Sequence, residues 1–460
     1  MTRRLPTRFA LAAALLTTVS LSAQQVVRTG PPPEIRALFD TFTQAMNSGS
    51  VETWDAFVEA RFSPALLKKI PKEQRAQMYR QLSNDFGTIE IERVMREGPD
   101  APLQLHVKGS KGNGVFVLTL DESSPPRIAG FGVEAGGGPA GPIAPGVPPL
   151  PVDGSLASDE IERRLDGYFT KLAADDVFSG VALVAKNGVP VFLKAFGMAD
   201  RDKNIPNTIR TRFNIGSINK EFTQTAIRQL VAAARLQLTD TIGKFYPDYP
   251  QVASRSATVE QLLGHRGGLS DFFGAEFNQT PKDRFASNAD YFRFVGSQPP
   301  AFAPGERNQY CNGCYIALGA IVEKVSGMAY EKYMAENVYG RAEMTSTGFP
   351  RTDRPADDIA IGYTRRDGSD TWRTNIAMHG VTGSAAGGNY STALDLLTYV
   401  KAVRSGRFPG NDPNIGIAGG APGTNATLEA RREWVVIVLT NFDPPVGERI
   451  GVALADALAR

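Results

Sequence analysis

The sequence of 460 residues predicts an α/β protein of the α+β type with two domains. Three observations support this prediction. In residues 34–134, helical periods come first and alternating strand patterns follow, which is typical of a small α+β domain. Residues 135–154 are rich in Gly and Pro and lack apolar periodicity, which indicates a semi-stiff linker. Residues 155–460 have strand patterns near both ends, which predicts an antiparallel sheet flanked by helices, with a mainly helical subdomain between its strands.

The N-terminus has the features of a cleavable export signal. Three arginines within the first eight residues precede an apolar run over residues 10–21, and Ala23 offers a cleavage point. The apolar run is shorter than the roughly 20 residues that span a bilayer. We therefore expect a signal peptide over residues 1–23 and a periplasmic or secreted protein. An uncleaved N-terminal helix is the alternative.

The composition is that of an ordinary globular protein, with 42% apolar and 21% charged residues. The formal net charge is +2 and the basic residues are scattered, so nucleic acid is not an expected partner. No later apolar run reaches the roughly 20 residues of a membrane-spanning helix, so no membrane span is expected either.

The small domain is predicted to begin with four helices. Apolar residues follow a helical period over residues 34–47, Ser50 can cap the next helix, and Pro64 and Pro71 mark two further helix starts. Alternating patterns then predict four strands, at residues 89–91, 103–107, 115–120 and 128–131. This order of elements resembles the cone-shaped domains related to nuclear transport factor 2.

The larger domain is predicted to join its two ends in one sheet. A helix over residues 156–173 precedes two strand patterns that flank Asn187-Gly188, a strong signal for a β-hairpin. A dense β pattern over residues 434–439 and a final helix over residues 446–458 close the chain.

The stretch Ser217-Ile218-Asn219-Lys220 is the only Ser-x-x-Lys in the chain. Apolar residues recur every four positions from Phe222 onwards, which predicts a helix starting near Ser217 and places Ser217 and Lys220 on one of its faces. A desolvated lysine can be neutral enough to deprotonate a serine, and a helix N-terminus suits a developing oxyanion. By spacing alone, a structural Ser/Lys pair is an equal alternative.

The two cysteines of the chain are close together, in Cys311-Asn312-Gly313-Cys314. In an oxidising compartment such a pair can form a disulfide. Two thiols are too few ligands for a closed zinc site, and no histidine supplies a third ligand. We therefore expect a disulfide or free structural thiols, and no metal.

Several segments in the larger part of the chain occur in an order that carries a resemblance. They are residues 178–196, 213–220, 258–269, 304–313, 318–327, 387–392 and 419–423. Together they resemble the serine β-lactamase and penicillin-binding-protein superfamily over residues 155–460, and within it the branch of class C β-lactamases, DD-peptidases and esterases. The resemblance implies a β-lactamase-like fold and acyl-transfer chemistry without a metal or organic cofactor.

The resemblance also implies roles for individual residues. Ser217 would attack a carbonyl and form an acyl-enzyme, while Lys220 and Tyr310 would share the proton transfers, each with a pKa lowered by the polar groups around it. Asn312 would bind a substrate amide or hold Lys220 in place. The backbone N–H groups of Ser217 and Gly420 would form the oxyanion hole. Without the resemblance, Tyr310 and Asn312 would be interpreted as a helix start with Asn as the cap.

One segment departs from the family pattern. Where the family has His-x-Gly or Lys-Thr-Gly, this sequence has Ile417-Ala418-Gly419, so only the glycine of this motif is present beside the nucleophile. The chain between Asp395 and Gly419 is also shorter than in the family. A missing cation weakens recognition of a substrate carboxylate, whereas ester hydrolysis depends less on it.

Two of the three histidines are interpreted as structural, and the role of the third stays open. His106 lies in a predicted strand and His265 in a helix segment where the family has a structural histidine. His379 lies in a Gly-rich loop, from which it can reach the site, although the spacing does not require it.

The sequence thus favours an exported serine hydrolase that cleaves a small-molecule or peptide ester or amide. The first alternative is a β-lactamase or D-alanyl-D-alanine carboxypeptidase. The second is a catalytically impaired relative that binds rather than cleaves, because of Ile417. No pattern in the sequence predicts the oligomeric state.

Overall fold

A computed structural model describes residues 33–95, 102–111, 114–135, 147–365 and 371–459. The predicted signal peptide over residues 1–23 lies outside the described residues, and so do residues 136–146 of the predicted linker.

The N-terminal part of the chain consists of four helices followed by four strands, as the sequence pattern predicts. The helices are α1 (Pro33–Asn47), α2 (Val51–Arg61), α3 (Pro64–Lys69) and α4 (Lys72–Phe86). The strands are β1 (Ile89–Met95), β2 (Leu103–Gly109), β3 (Gly114–Leu120) and β4 (Ile128–Ala135), which pair antiparallel in that order. Ser50 caps α2, since its side chain accepts a hydrogen bond from the N–H of Thr53.

These elements enclose an aromatic core of their own. Phe42 on α1, Trp54 on α2 and Phe116 on β3 are fully buried, and the ring of Phe42 lies 6.3 Å from that of Trp54 and 5.0 Å from that of Phe116. Such aromatic pairs stabilise a fold by about 0.5–1.5 kcal/mol each beyond their burial. The helices therefore pack on one face of the four-stranded sheet through large apolar side chains.

The second part of the chain is built around a five-stranded antiparallel sheet with the order β13-β14-β15-β5-β6. Its strands are β5 (Gly180–Lys186), β6 (Val189–Phe196), β13 (Ile415–Ala421), β14 (Thr424–Arg431) and β15 (Trp434–Thr440). The pairing of Leu183 on β5 with Ile437 on β15 joins the two ends of this part of the chain, which confirms the predicted antiparallel sheet.

Short strands and many helices connect the two halves of the sheet. The short strands are β7 (Met198–Asp200), β8 (Ile205–Pro206), β9 (Phe213–Asn214), β10 (Tyr363–Thr364), β11 (Arg373–Thr374) and β12 (Tyr390–Ser391). The helices are α5 (Ser158–Ala174), α6 (Asn219–Ala232), α7 (Ile242–Phe245), α8 (Val259–Leu263), α9 (Ala275–Gln279), α10 (Asn288–Ser297), α11 (Asn312–Ser326), α12 (Tyr330–Met334), α13 (Gly340–Ala342), α14 (Ala393–Arg404) and α15 (Val446–Leu458). Single turns of 3-10 helix include Gly216–Ile218, and Ala335–Tyr339 is a π-helical turn.

The five-stranded sheet is covered on both faces. Helices α5 and α15 pack on one face through side chains such as Phe169 and Leu454, both fully buried. The other face packs against a larger core that includes α6 and α11, where Phe222 and Ile321 are fully buried. The predicted fold, an antiparallel sheet flanked by helices with a mainly helical subdomain, is thus confirmed.

The last residues of the predicted linker are packed against this sheet. Val147 and Val152 are buried in the core formed by α5 and α15, and Gly154 donates a backbone hydrogen bond to Ala457. Because a Cβ atom at Gly154 would lie 2.2 Å from a backbone oxygen of Leu458, this contact requires glycine. Residues 147–154 are therefore docked on the core formed by α5 and α15 rather than forming part of a free linker.

Within the described residues, no helix combines the length and the hydropathy that a membrane span requires. In the same residues, no group of three or more His, Cys, Asp or Glu side chains is arranged to hold a metal ion.

Candidate active site

Ser217 lies in a tight turn between the short strand β9 and helix α6. The turn Gly216–Ile218 is 3-10 helical, so α6 begins at Asn219, two residues after Ser217. Gly216 has a φ of 51°, and a Cβ atom at this position would lie 3.0 Å from the backbone nitrogen of Gly420. Only glycine fits both the left-handed conformation and this close approach. The turn therefore places Ser217 against the edge strand β13.

Lys220 is buried beside Ser217, with 3% of its surface exposed. Its Nζ atom lies 2.9 Å from Ser217 Oγ, 2.8 Å from Asn312 Oδ1 and 2.6 Å from the carbonyl oxygen of Ala386. Burial lowers the pKa of Lys220 to about 7, although the charge of Asp271 opposes this shift. In the neutral amine, two N–H groups can bind the two fixed acceptors, which leaves the nitrogen lone pair directed at the hydroxyl of Ser217.

Tyr310 approaches Ser217 from the other side. Its hydroxyl donates a hydrogen bond of 2.6 Å to Ser217 Oγ, although 55% of the residue surface is exposed. The hydroxyl end faces into the site, where loss of solvent raises the pKa of Tyr310 to about 12. The prediction that polar surroundings lower the pKa of Tyr310 is therefore wrong. For Lys220 the pKa is lowered, as predicted, and its cause is the desolvation considered in the sequence analysis rather than the polar groups around it.

His265 supports Tyr310 rather than the nucleophile. Its ring stacks on the ring of Tyr310 at 4.9 Å, and its Nδ1 atom accepts a hydrogen bond from the backbone N–H of Cys311. Burial and the nearby charge of Lys220 lower the pKa of His265 to about 4, so the ring is neutral at physiological pH. This contact is consistent with the structural position expected for His265.

The two cysteines form a disulfide that encloses Asn312. Cys311 and Cys314 are joined, and both are buried. Cys311 is the N-cap of α11, where its sulfur accepts a hydrogen bond from the N–H of Cys314. The disulfide therefore closes the first turn of α11, which carries Asn312.

Asn312 connects Lys220 to an acidic residue that the sequence analysis did not identify. Its Oδ1 atom accepts the hydrogen bond from Lys220, and its Nδ2 atom donates one of 2.8 Å to Asp271 Oδ2. Asp271 therefore orients the amide of Asn312 with its oxygen towards Lys220. Of the two roles considered for Asn312, the geometry matches holding Lys220. The only sequence signal for Asp271 is its position just after the Gly268-Leu269 segment.

Strand β13 lies against the nucleophile turn, as the resemblance implies. A Cβ atom at Gly419 would lie 2.1 Å from the carbonyl oxygen of Ile215 and 2.8 Å from the nitrogen of Ser217. Ala421 and Thr424 pair across the two-residue turn between β13 and β14. Because ladder hydrogen bonds alternate along an antiparallel pair, the N–H of Gly420 points away from β14, towards the free edge of the sheet.

A cavity of about 550 Å³ opens beside Ser217. One part of its wall is aromatic, with Phe272, Phe273 and Tyr291, and β13 contributes Ala418 and Gly420. The described residues that line the cavity include no Lys or Arg.

Ile417 and His379 differ in their relation to this cavity. Ile417 packs against the main hydrophobic core and is not part of the cavity wall. His379 does line the cavity, and its Nε2 atom lies 3.1 Å from Asn375 Nδ2 and 3.3 Å from the carbonyl oxygen of Pro422. Burial lowers the pKa of His379, so it does not replace the missing cation of the third motif at physiological pH.

Comparison with known protein families gives evidence on the family of this chain. A family model described as Beta-lactamase matches residues 165–414, a span that includes Ser217, Lys220, Tyr310 and Asn312. The chain belongs to the β-lactamase family. The match ends one residue before β13, so it does not include Ile417, which lies in that strand.

A relative and a solved structure agree with this assignment. It is 31% identical over 250 residues to a putative penicillin-binding protein of Bacillus subtilis strain 168, a match that covers 54% of this chain and 59% of that protein. A penicillin-binding protein from Bacillus halodurans has a structure with a TM-score of 0.55 and 27% identity, and the match covers 61% of this chain and 98% of that one.

The fold is also shared with the hydrolase EstCE1, described as having promiscuous acyltransferase activity. That structure matches with a TM-score of 0.54 and 18% identity, over 66% of this chain and 100% of that one. The family and the fold implied by the sequence resemblance are thus confirmed, and the family is one of serine hydrolases that includes penicillin-binding proteins.

Proposed function

We propose that this protein is a serine hydrolase that cleaves an ester or amide through an acyl-enzyme on Ser217. The observation that carries the proposal is the environment of Ser217 Oγ, which lies 2.9 Å from Lys220 Nζ and 2.6 Å from the hydroxyl of Tyr310. A serine between an amine with a pKa of about 7 and a phenol that remains protonated has both a proton acceptor and a proton donor.

The first half of the reaction uses Lys220 as the base. Neutral Lys220 accepts the hydroxyl proton while Ser217 Oγ forms a bond to the substrate carbonyl carbon. Collapse of the tetrahedral intermediate breaks the bond to the leaving group, which receives a proton from protonated Lys220, directly or through the hydroxyl of Tyr310. In the second half, water attacks the acyl-enzyme while neutral Lys220 accepts its proton. Collapse of this second tetrahedral intermediate releases the acid, and protonated Lys220 returns the proton to Ser217 Oγ. These steps use the side chains of this chain and water, and require neither a metal nor an organic cofactor.

The oxyanion of each tetrahedral intermediate would be bound by two backbone N–H groups. They belong to Ser217, at the start of the helical turn, and to Gly420 on β13. The support for this pair is the close approach of β13 to the turn, together with the outward direction of the Gly420 N–H.

Among substrates, uncharged esters and amides fit this site better than β-lactams or peptides ending in D-Ala-D-Ala. Both of the latter carry a carboxylate, which a cation or a hydrogen-bond donor of the third motif would bind. Here that position is Ile417, and the described cavity wall contains no Lys or Arg. The second candidate for this protein is β-lactamase or carboxypeptidase activity, because the chain is similar to a penicillin-binding protein. The alternative of a relative that only binds its ligand is less favoured, because the residues for catalysis form one hydrogen-bonded group. They are Ser217, Lys220, Tyr310 and Asn312.

Export to the periplasm or the medium remains part of the proposal. The basic and apolar pattern of residues 1–23 supports it. The disulfide between Cys311 and Cys314 supports it independently, because disulfides persist in oxidising compartments.

The test is covalent labelling of the purified protein, measured as intact mass. Wild type and Ser217→Ala are treated separately with a fluorophosphonate and with a fluorescent penicillin. We expect one fluorophosphonate adduct on wild type and none on Ser217→Ala. A penicillin adduct that also requires Ser217 would favour the β-lactamase and carboxypeptidase activity. Labelling by neither reagent would contradict an activated serine and favour the binding-type relative.

A further inference from the structure

The wall of the cavity beside Ser217 has few charged side chains. Among the described residues of its wall, Glu448 is the only Asp or Glu, and no Lys or Arg is present. His379, also in the wall, has its pKa lowered by burial and is neutral at physiological pH. Within the described wall, the Glu448 carboxyl therefore supplies the formal charge that a bound substrate meets.

Glu448 is held next to the strand that flanks the nucleophile. It is the third residue of α15, and its backbone N–H donates a hydrogen bond of 2.8 Å to Asn425 Oδ1. Asn425 is paired with Gly420 across β13 and β14, and its Nδ2 atom donates to the carbonyl oxygen of Gly419. The position of Glu448 is thus coupled through one side chain to the proposed oxyanion strand.

The surroundings of Glu448 leave its carboxyl available to a ligand. Among the described residues, no side chain forms a salt bridge with it. Burial raises the pKa of Glu448 to about 7, Arg449 lowers it and Glu429 raises it further. A cation bound directly beside this carboxyl would favour its ionised form further.

The aromatic side of the cavity suits an apolar group. Phe272 and Phe273 lie with their ring centres 4.1 Å apart, and Phe277 packs edge-on against both. Phe273 is 46% exposed, so part of this aromatic surface is open to a ligand. Burial of an apolar group against such rings is favourable by roughly 25 cal/mol for each Å² removed from water.

We propose that the cavity selects acyl donors that combine an apolar body with a protonated amine, which Glu448 binds, and disfavours donors with a carboxylate in its place. This inference rests on the proposed function, and it names the substrate class. The apolar body packs on the aromatic side of the cavity, while the ammonium group pairs with the Glu448 carboxylate. A carboxylate at the same point meets a like charge and no cation.

The test uses three phosphonate ester probes that differ only in one substituent, an aminomethyl, an ethyl or a carboxyl group on the same aryl ring. The second-order rate constant for labelling Ser217 is measured at about pH 8, above the pKa values of about 7 of Lys220 and Glu448. We expect the amine probe to react about five- to tenfold faster than the uncharged probe, and the carboxylate probe to react slower than both.

Two variants assign the selectivity to its residue. Glu448→Gln should abolish the advantage of the amine probe over the uncharged probe. Asp456→Asn removes one charge from the same helix outside the cavity, so this control should keep the wild-type ratio. Equal rates for the three probes on wild type, or an unchanged ratio in Glu448→Gln, would overturn the inference. Equal labelling rates for the amine and uncharged probes on wild type would already overturn the inference. A variant that fails to fold therefore does not prevent the test.

The same experiment separates this inference from the proposed function. If none of the three probes labels Ser217, the proposed function fails and the inference fails with it. If all three label Ser217 without regard to charge, the proposed function stands and only the selectivity of Glu448 is rejected.

Discussion

The Nζ atom of Lys220 lies 2.9 Å from the Oγ atom of Ser217, at the base of a cavity of about 550 Å³. Two other oxygens, from Asn312 and Ala386, fix the remaining directions of the amine. Burial lowers the pKa of Lys220 to about 7, so a large fraction of the amine is neutral at physiological pH. This pair is the basis of the predictions below.

Labelling of Ser217 should depend on pH through Lys220. The neutral amine is the reactive form, so the rate of labelling by an uncharged fluorophosphonate should be low at acidic pH, rise through about pH 7 and level off above it. The measurement is the labelling rate from pH 5 to pH 9, roughly two units on either side of this pKa, corrected for hydrolysis of the reagent. A rate independent of pH over this range would exclude Lys220 as the base.

Replacing Lys220 and Tyr310 should have unequal effects. Lys220→Ala removes the proton acceptor and should lower kcat for an ester by roughly 10²–10⁴-fold. Tyr310→Phe removes one hydrogen bond to Ser217 Oγ but retains the base, so its loss of kcat should be smaller. Circular dichroism should show that both variants are folded. An unimpaired Lys220→Ala variant would instead assign the role of base to Tyr310.

Asp271 should act as a positioning residue through Asn312. Asp271→Asn leaves the amide of Asn312 free to rotate, so we expect kcat to fall by about tenfold. The charge of Asp271 also raises the pKa of Lys220, so its removal should move the midpoint of the labelling profile to lower pH. A purely structural role would not move this midpoint. Asp283→Asn, an exposed acidic position, is the control and should show neither change.

Two glycines of strand β13 should respond differently to alanine. Gly419→Ala places a Cβ atom 2.1 Å from a backbone oxygen of Ile215, so β13 must move away from Ser217. We expect a loss of about 1–3 kcal/mol in the free energy of unfolding, measured with urea, together with a large loss of labelling. At Gly416 the nearest atom is 3.3 Å away, at the end of the Glu429 side chain. Gly416→Ala should therefore be tolerated, and equal effects of the two substitutions would contradict the packing described.

Much of the fold could be predicted because its signals are local. The Asn187-Gly188 turn predicts the hairpin of β5 and β6, and the dense apolar run at residues 434–439 predicts β15. Two-residue strands such as Phe213–Asn214 could not be predicted, since they are too short to show a period. They form because the tertiary structure brings two chain segments together.

In the candidate site, too, features with a local sequence signal could be predicted and features that depend on tertiary structure could not. Ser217, Lys220, Tyr310 and Asn312 lie in short motifs, and the structure places all four within one hydrogen-bonded group. The raised pKa of Tyr310 could not be predicted, because it depends on the loss of solvent around the hydroxyl.

Residues that reach the site from distant segments had little or no signal in the sequence. Asp271 contacts Asn312 across 41 positions of the chain. Glu448 reaches the cavity from the C-terminal helix α15, which the sequence analysis treated only as a structural element. Both residues were therefore found from the structure alone.

The central claim is the acyl-enzyme on Ser217, and trapping it is the most direct test. Wild type is mixed with an uncharged nitrophenyl ester, quenched in acid during turnover, digested and examined by mass spectrometry. We predict that the acyl group is found on the peptide that contains Ser217, and that Ser217→Ala neither carries the group nor releases nitrophenol. Turnover with no acyl group on that peptide, or undiminished turnover by Ser217→Ala, would contradict the mechanism.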